Sequence, residues 1–226
     1  MNVYSHVLVV SGGMDSATLA YLCVKEGGHP YLITFDYGQK HKKEIEYAGL
    51  LADDLNTPHQ VVDISNIQNL LAGSALTDDN IEVPEGHYAA DNMAITVVPN
   101  RNAIFLTVAY GAAVSFDSKY VGAAMHTGDH TIYPDCRPEF FQNMGQSLGY
   151  GSKLWTEYNI PLQIEIPIIE MSKSDIVRLG LEINAPLELT WSCYQGNKTP
   201  CGRCDSCILR ANGFHEAGYA DPAMPG

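Results

Sequence analysis

Two groups of residues have the types and spacing to do chemistry. The first is Ser11-Gly12-Gly13-Met14-Asp15-Ser16. Paired glycines let the backbone approach a phosphate closely, and the free N–H groups and positive dipole end of a following helix offer an anion site. The hydroxyls of Ser11 and Ser16 add donors. The Gly-Lys-Ser/Thr ending of a Walker loop is missing, and with it the lysine that would draw out a γ-phosphate; the dinucleotide pattern G-x-G-x-x-G is also absent. The second group is Cys193-x7-Cys201-x2-Cys204-x2-Cys207. Thiolates so spaced on tight turns can close a tetrahedral zinc site, and four protein ligands leave no open position, so the metal would be structural. An iron–sulfur cluster and redox disulfides compete for the same cysteines. Cys23, in an apolar helix, and Cys136 stand outside the group.

These residues need elements to hold them. His6 to Val10 is a short apolar run that stops at Ser11-Gly12-Gly13, as a buried parallel strand entering a tight turn would, and Met14 to Lys25 reads as a helix closed by Gly27-Gly28. Tyr31 to Phe35 and Gln60 to Ile64 read as strands, separated by a stretch from Gln39 to Asn56 with Ile45, Ala48, Leu51 and Leu55 at helical spacing. Ala72 to Pro99 has little periodicity, an excursion of a length that is more often functional than idle. Asn102 to Val114 then reads as a buried helix, Lys119 to Ala123 as a strand, Arg137 to Leu148 as a helix and Leu162 to Ile168 as a strand. Ser172-Lys173-Ser174-Asp175 opens a helix running to Leu179, a capping box with Asp in place of Glu. The alternation calls for an α/β fold, a doubly wound parallel sheet covered on both faces with its ligand at the carboxyl ends of the strands. Residues 1–190 are expected to form this domain, and 191–226 a small zinc-binding C-terminal segment packed on it.

The glycine loop matches S-G-G-x-D-S, the signature of the ATP pyrophosphatases, which cleave ATP between its α and β phosphates and transfer AMP. Four further groups follow in one order: Phe35-Asp36-Tyr37-Gly38-Gln39 with His41 and Glu44; Val98-Pro99-Asn100-Arg101-Asn102; Tyr133-Pro134-Asp135-Cys136-Arg137-Pro138-Glu139-Phe140; and the cysteines. From near Val7 to Phe214 the chain resembles the 7-cyano-7-deazaguanine synthase family, a Rossmann-like ATP pyrophosphatase type. Asn100 departs from it, since many members carry Gly there. The resemblance implies a ligase that converts 7-carboxy-7-deazaguanine and ammonia to the nitrile, consuming ATP with magnesium in two adenylations, on the route to queuosine. It also implies a homodimer.

Carried onto this chain, the resemblance gives ATP contacts to Val9, Val10, Ser11, Gly12, Gly13, Met14, Asp15, Ser16, Ala17, Thr18 and Leu19, with the pyrophosphate half on Ser11, Gly12, Gly13, Asp15 and Ser16. Asp15 beside phosphate needs a cation between, so it is either a magnesium link or a helix-start cap. Arg101, at a helix start, and Lys173, past a strand end, are the cations to place near transferred phosphate, a surface salt bridge being the competing use of either. Asp15, Arg101 and Lys173 are thus the catalytic candidates. For the deazaguanine, Asp135 can accept two adjacent N–H donors, Tyr133 can stack on the ring, and Arg137 can balance Asp135 or meet the substrate carboxylate. Pro134 and Pro138 also fit a merely rigid turn. Gln39, His41 and Glu44 are expected near ATP or on its rim, and His126 and His130 flank a glycine-bearing loop without metal-ligand spacing.

Composition bounds the alternatives. The 226 residues are 46% hydrophobic and 17% charged, with no apolar run of membrane-spanning length. The N-terminal residues lack the marks of a secretory signal, so a cytoplasmic, reducing location is expected. A formal charge of −13 and a pI near 4.8 repel a polyanion, so no nucleic-acid partner is expected and any anionic ligand needs a local site. Two rival functions stand: another adenylating enzyme of the same superfamily, such as a different amidating synthetase or a transfer RNA thiolase, and a non-catalytic nucleotide-binding zinc module. The thiolase lacks a visible RNA-binding face or relay cysteine here. AMP release in the presence of ligand separates enzyme from binding module.

Overall fold

The computed structural model describes residues 4–78, 80–82, 94–129, 133–157, 159 and 162–223. Five parallel strands, β1 (His6–Val9), β2 (Pro30–Asp36), β3 (His59–Asp63), β4 (Tyr120–Gly122) and β5 (Gln163–Glu165), form one sheet in the order β3-β2-β1-β4-β5. Alternate residues of β1 feed opposite cores, as the pleat requires. Val7 joins Ile33, Phe35, Leu106, Val121 and Phe141 on one face, while Leu8 and Val10 join Leu19, Ala20, Leu32, Ala48 and Ala52 on the other. The near-continuous apolar runs of β1 and β2 follow from this double burial.

Seven helices are described: α1 (Met14–Lys25), α2 (Lys43–Asp54), α3 (Arg101–Ser115), α4 (Pro138–Tyr150), the four-residue α5 (Lys153–Thr156), α6 (Lys173–Glu182) and α7 (Asp205–Ala217). Helices α1 and α2 supply the Leu19 and Ala48 core; α3 and α4 supply the Leu106 and Phe141 core. A third apolar cluster joins Met14 of α1, Val177 of α6, Leu187 and Phe214 of α7. Helix α6 opens with the expected capping box, in which Ser172 accepts from the Asp175 N–H and Asp175 from the Ser172 N–H.

Differences from the sequence reading have local causes. The strand expected over Leu162 to Ile168 is only Gln163–Glu165, because Pro167 carries no N–H for a ladder. The helix expected from Gln39 begins at Lys43, because Gly38 turns at φ 83° and Gln39 folds back on β2. Helix α7 was not expected at all. Of the irregular stretch from Ala72 to Pro99, the described part contains only turns and one short 3₁₀ turn, Ala94–Thr96.

The chain passes outward from β1 through β2 to β3, then crosses to the far side of β1 to enter β4. The order reverses between β1 and β4, and a crevice opens outside their carboxyl ends at such a switch point.

Candidate active site

A cleft occupies that crevice, lined from β1 by Val9, Val10, Ser11, Gly13, Met14, Asp15 and Ser16 and from beyond β4 by Ala123, Ala124 and Met125. The loop between β1 and α1 is held in shape by its own side chains. Gly12 turns at φ 83°, open to glycine at little cost, and a Cβ there would meet the Glu44 carbonyl and lie 2.7 Å from the Ala48 nitrogen. Helix α2 therefore rests directly on the loop. The Ser16 hydroxyl donates to the Gly13 carbonyl at 3.0 Å and accepts from the Ser11 N–H at 3.2 Å, and the Gly13 N–H donates to the Ser11 hydroxyl at 3.3 Å. No side chain caps α1, so its first amides keep their capacity for an anion. Ala17, Thr18 and Leu19 are buried in the body of α1, behind the cleft wall.

Asp15 and Lys173, far apart in sequence, meet across this cleft. Lys173 Nζ donates to both carboxylate oxygens of Asp15, at 2.8 and 2.7 Å. Burial works to raise the Asp15 carboxyl, but the Lys173 ammonium, helped by His126, holds it below the ordinary range. Asp15 is thus neither the residue that starts α1, which is Gly13, nor solitary. Lys173 sits where the capping box fixes the start of α6, and a Cβ on Gly213 of α7 would lie 2.5 Å from its Cγ. Two helices thus set the lysine's path.

Arg101 opens α3 on another wall, its guanidinium 5.9 Å from the centre of the Tyr37 ring. Asn100 before it adopts φ 51° and ψ 25°, the left-handed conformation that glycine adopts freely and asparagine tolerates, which accounts for the Gly/Asn difference at this position. The Asn102 N–H donates to Asp135 Oδ2 at 3.2 Å, and its side-chain amide to the Asp135 carbonyl at 3.1 Å and to Cys136 Sγ at 3.3 Å. Tyr133 lines the cleft and bonds Thr96 through its hydroxyl at 2.8 Å. Asp135 and Arg137 are not among the described residues that line it, and Arg137 is exposed. Cys136 does line it, but burial pushes its thiol well above the ordinary range.

Of the rim residues, Gln39 spends its amide on the end of β2, accepting from the Tyr37 N–H and donating to the Phe35 carbonyl. His41 lines the cleft with a buried Nδ1 that has no hydrogen-bond partner. Glu44 lines it too, and burial pushes its carboxyl up to about 7 although Arg101 draws it down. His126 is buried, its Nδ1 accepting from the Gly128 N–H at 3.0 Å, and belongs to no metal-ligating group among the described residues. His130 lies outside the described residues.

The thiols of Cys193, Cys201, Cys204 and Cys207 lie within 4.8 Å of one another. None is paired in a disulfide, and Cys201 and Cys207 sulfurs are 4.0 Å apart, near the edge of about 3.8 Å that a tetrahedron of zinc–sulfur bonds would have. Backbone N–H groups of Gln195 and Cys201 point to the Cys193 sulfur and that of Cys204 to the Cys201 sulfur, as they do around thiolates that carry negative charge. The donor set fits a structural metal. Sequence reasoning missed how this cluster reaches the cleft: the Trp191 indole donates to the Cys193 carbonyl at 2.8 Å, and the Trp191 N–H to the Gly12 carbonyl at 2.9 Å. It missed Arg210 too, which lines the cleft while bound to Thr190, Leu187 and Asp221.

Comparison with known proteins places this arrangement. Residues 5–218 match the family model described as queuosine biosynthesis protein QueC. A protein of Brucella anthropi named 7-cyano-7-deazaguanine synthase is 47% identical over 223 residues, covering 96% of this chain and 92% of its own. One of Paracoccus denitrificans with the same name is 47% identical over 221 residues, covering 96% and 91%. Among solved structures, an NMN synthetase from Francisella tularensis superposes with a TM-score of 0.50 at 17% identity, covering 98% of this chain and 81% of that one. That last likeness is one of fold.

Proposed function

Since the chain belongs to the queuosine biosynthesis protein QueC family, we propose that it is an ATP-dependent ligase that converts 7-carboxy-7-deazaguanine and ammonia to 7-cyano-7-deazaguanine. The observation that carries the reading within the molecule is the convergence of the glycine loop, Lys173 and Arg101 on one cleft at the switch point of the sheet. With no lysine in the loop to draw out a γ-phosphate, the cations flank the position of an α-phosphate, where a carboxylate can attack and pyrophosphate can leave.

The substrate carboxylate attacks the α-phosphorus, forming an acyl adenylate and releasing pyrophosphate; ammonia displaces AMP to leave the amide. The amide oxygen is adenylated in turn, and loss of that AMP leaves the nitrile. Negative charge on the phosphates is met by the loop amides, Lys173 and Arg101, which are held in place before the reaction begins. In this reading Lys173 shares Asp15 with the nucleotide. Asp15, ionised and on the cleft wall, is the residue to hold magnesium, which would supply charge neutralisation on the phosphates. Tyr133 faces the deazapurine ring, and Asp135 serves it by fixing Asn102 and the start of α3 beside Arg101. We assign zinc to the four cysteines and take the chain to act as a cytoplasmic homodimer. The test is to incubate the protein with ATP, magnesium, ammonium and 7-carboxy-7-deazaguanine and to identify products by mass. AMP, pyrophosphate and the nitrile are expected; ADP and orthophosphate as primary products would refute the reading.

A further inference from the structure

The reaction proposed above consumes ammonia, yet near neutral pH the solute is ammonium, which has no lone pair with which to attack. Some group in the cleft must bind the cation and take a proton. Glu44 stands in the first turn of α2 and lines the cleft together with Ser11, Gly13 and Asp15. Its position relative to the phosphate loop is fixed by the backbone, because α2 lies against Gly12 so closely that even a methyl group would strike the Glu44 carbonyl. Among the other carboxylates that line the cleft, Asp15 is taken by Lys173, and Asp129 bonds the His126 N–H at 3.4 Å. Among the described residues the Glu44 carboxylate makes no hydrogen bond or salt bridge, and the charged group that draws on it is Arg101. A carboxylate on the cleft wall that makes no hydrogen bond among the described residues is suited to a small cation.

We propose that Glu44 is the ammonium-binding residue and general base of the amidation step, a reading that rests on the proposed function. Glu44 accepts a hydrogen bond from ammonium, takes one proton to become the neutral acid, and leaves ammonia with its lone pair free to attack the acyl adenylate carbon. As the carbon–nitrogen bond forms and the carbon–oxygen bond to AMP breaks, the departing AMP phosphate takes the second proton that the nitrogen must lose to become a neutral amide, and Glu44 returns its own proton to solvent. Burial that raises the carboxyl to about 7 poises it for exchange at neutral pH. The titratable groups that share the cleft wall with it are Tyr37 after β2, Lys40 and His41 before α2, Arg101 on α3, Asp15 and Lys173 at the phosphate loop, Asp129, Tyr133 and Cys136 beyond β4, and Tyr194 and Arg210 of the C-terminal segment.

The test compares Glu44→Gln and Glu44→Asp with the unaltered protein, using ammonium chloride and, separately, hydroxylamine, which is uncharged at neutral pH and needs no base. Glu44→Gln is expected to release pyrophosphate and to form the hydroxamate at nearly the normal rate, while kcat/KM for ammonium falls by about 10²–10⁴-fold. Glu44→Asp should regain part of that loss, and in Glu44→Gln the break that Glu44 gives the ammonium pH profile should be lost, the rate instead rising with pH all the way to the pKa of ammonium because the variant depends on free ammonia. Equal loss with both nucleophiles would overturn the assignment in favour of a role with nucleotide or magnesium, as would an unchanged response to ammonium. Should Glu44→Gln not fold, an ammonium pH profile of Glu44→Asp identical to that of the unaltered protein would overturn it as well. If the unaltered protein itself forms no AMP from the carboxy-deazaguanine, the proposed function fails instead, and the two failures are distinct.

Discussion

Lys173 and Asp15 show how much a single pair decides. Each was legible alone, the aspartate from its motif and the lysine from its place past a strand, but their pairing was not, since an ion pair between distant residues leaves no local signature. Lys173→Met should cut kcat by about 10²–10³-fold by removing charge at the developing phosphates. Stability should fall as well, by about 3 kcal/mol, because both partners are mostly buried and the methionine leaves the Asp15 charge unpaired; pyrophosphate release and thermal melting measure the two effects. The same pair predicts a pH effect. The Asp15 carboxyl is depressed in the folded state, so its stabilisation is complete above its ordinary value and is lost as pH falls toward the folded value. Below about pH 4, urea midpoints of the unaltered protein should fall more steeply than those of Asp15→Asn. Parallel slopes would mean that the pair does not hold the carboxyl down. The substrate residues were the least legible: Tyr133 reaches the cleft wall, while Asp135 turns to the start of α3.

Among the elements, the loop between β1 and α1 was the most legible, since Gly12-Gly13 between an apolar strand and an apolar helix admits few other readings. What the sequence hid is why Gly12 is obligatory on two counts, its positive φ and the backbone of α2 lying against it. Gly12→Ala should lower stability by about 2–3 kcal/mol and weaken ATP binding, read by melting and calorimetry. Helix α7 was invisible because the cysteine run dominates its start: Cys204 is its N-cap and Cys207 lies in its first turn. Yet α7 bears on chemistry through Gly213, where an added Cβ would lie 2.5 Å from Lys173 Cγ, near the root of that side chain. Gly213→Ala should therefore lower kcat by up to about 100-fold with metal content intact. Unimpaired turnover would show that the lysine adapts.

Across the whole molecule, the sequence reads as a metal-binding tail on an α/β domain, and in the structure Trp191, Ser192 and Arg210 of that tail line the cleft. Trp191 joins the cysteine cluster to the Gly12 carbonyl, Phe214 shares a core with Met14, and Arg210 bridges Leu187, Thr190 and Asp221 in a buried network. Metal binding at such a cluster contributes directly to folding free energy. Removing the metal with a chelator, or making Cys201→Ser, should lower the melting temperature and ATP turnover together; loss of stability with full turnover would uncouple the tail from the loop. If a carboxylate oxygen attacks the α-phosphorus, that oxygen must leave with AMP. Substrate carrying ¹⁸O in both carboxylate oxygens is turned over, and the nucleotide products are weighed. Two AMP are expected for each nitrile, each carrying one labelled oxygen, with none in pyrophosphate; label in orthophosphate, or unlabelled AMP, would rule out attack by the carboxylate.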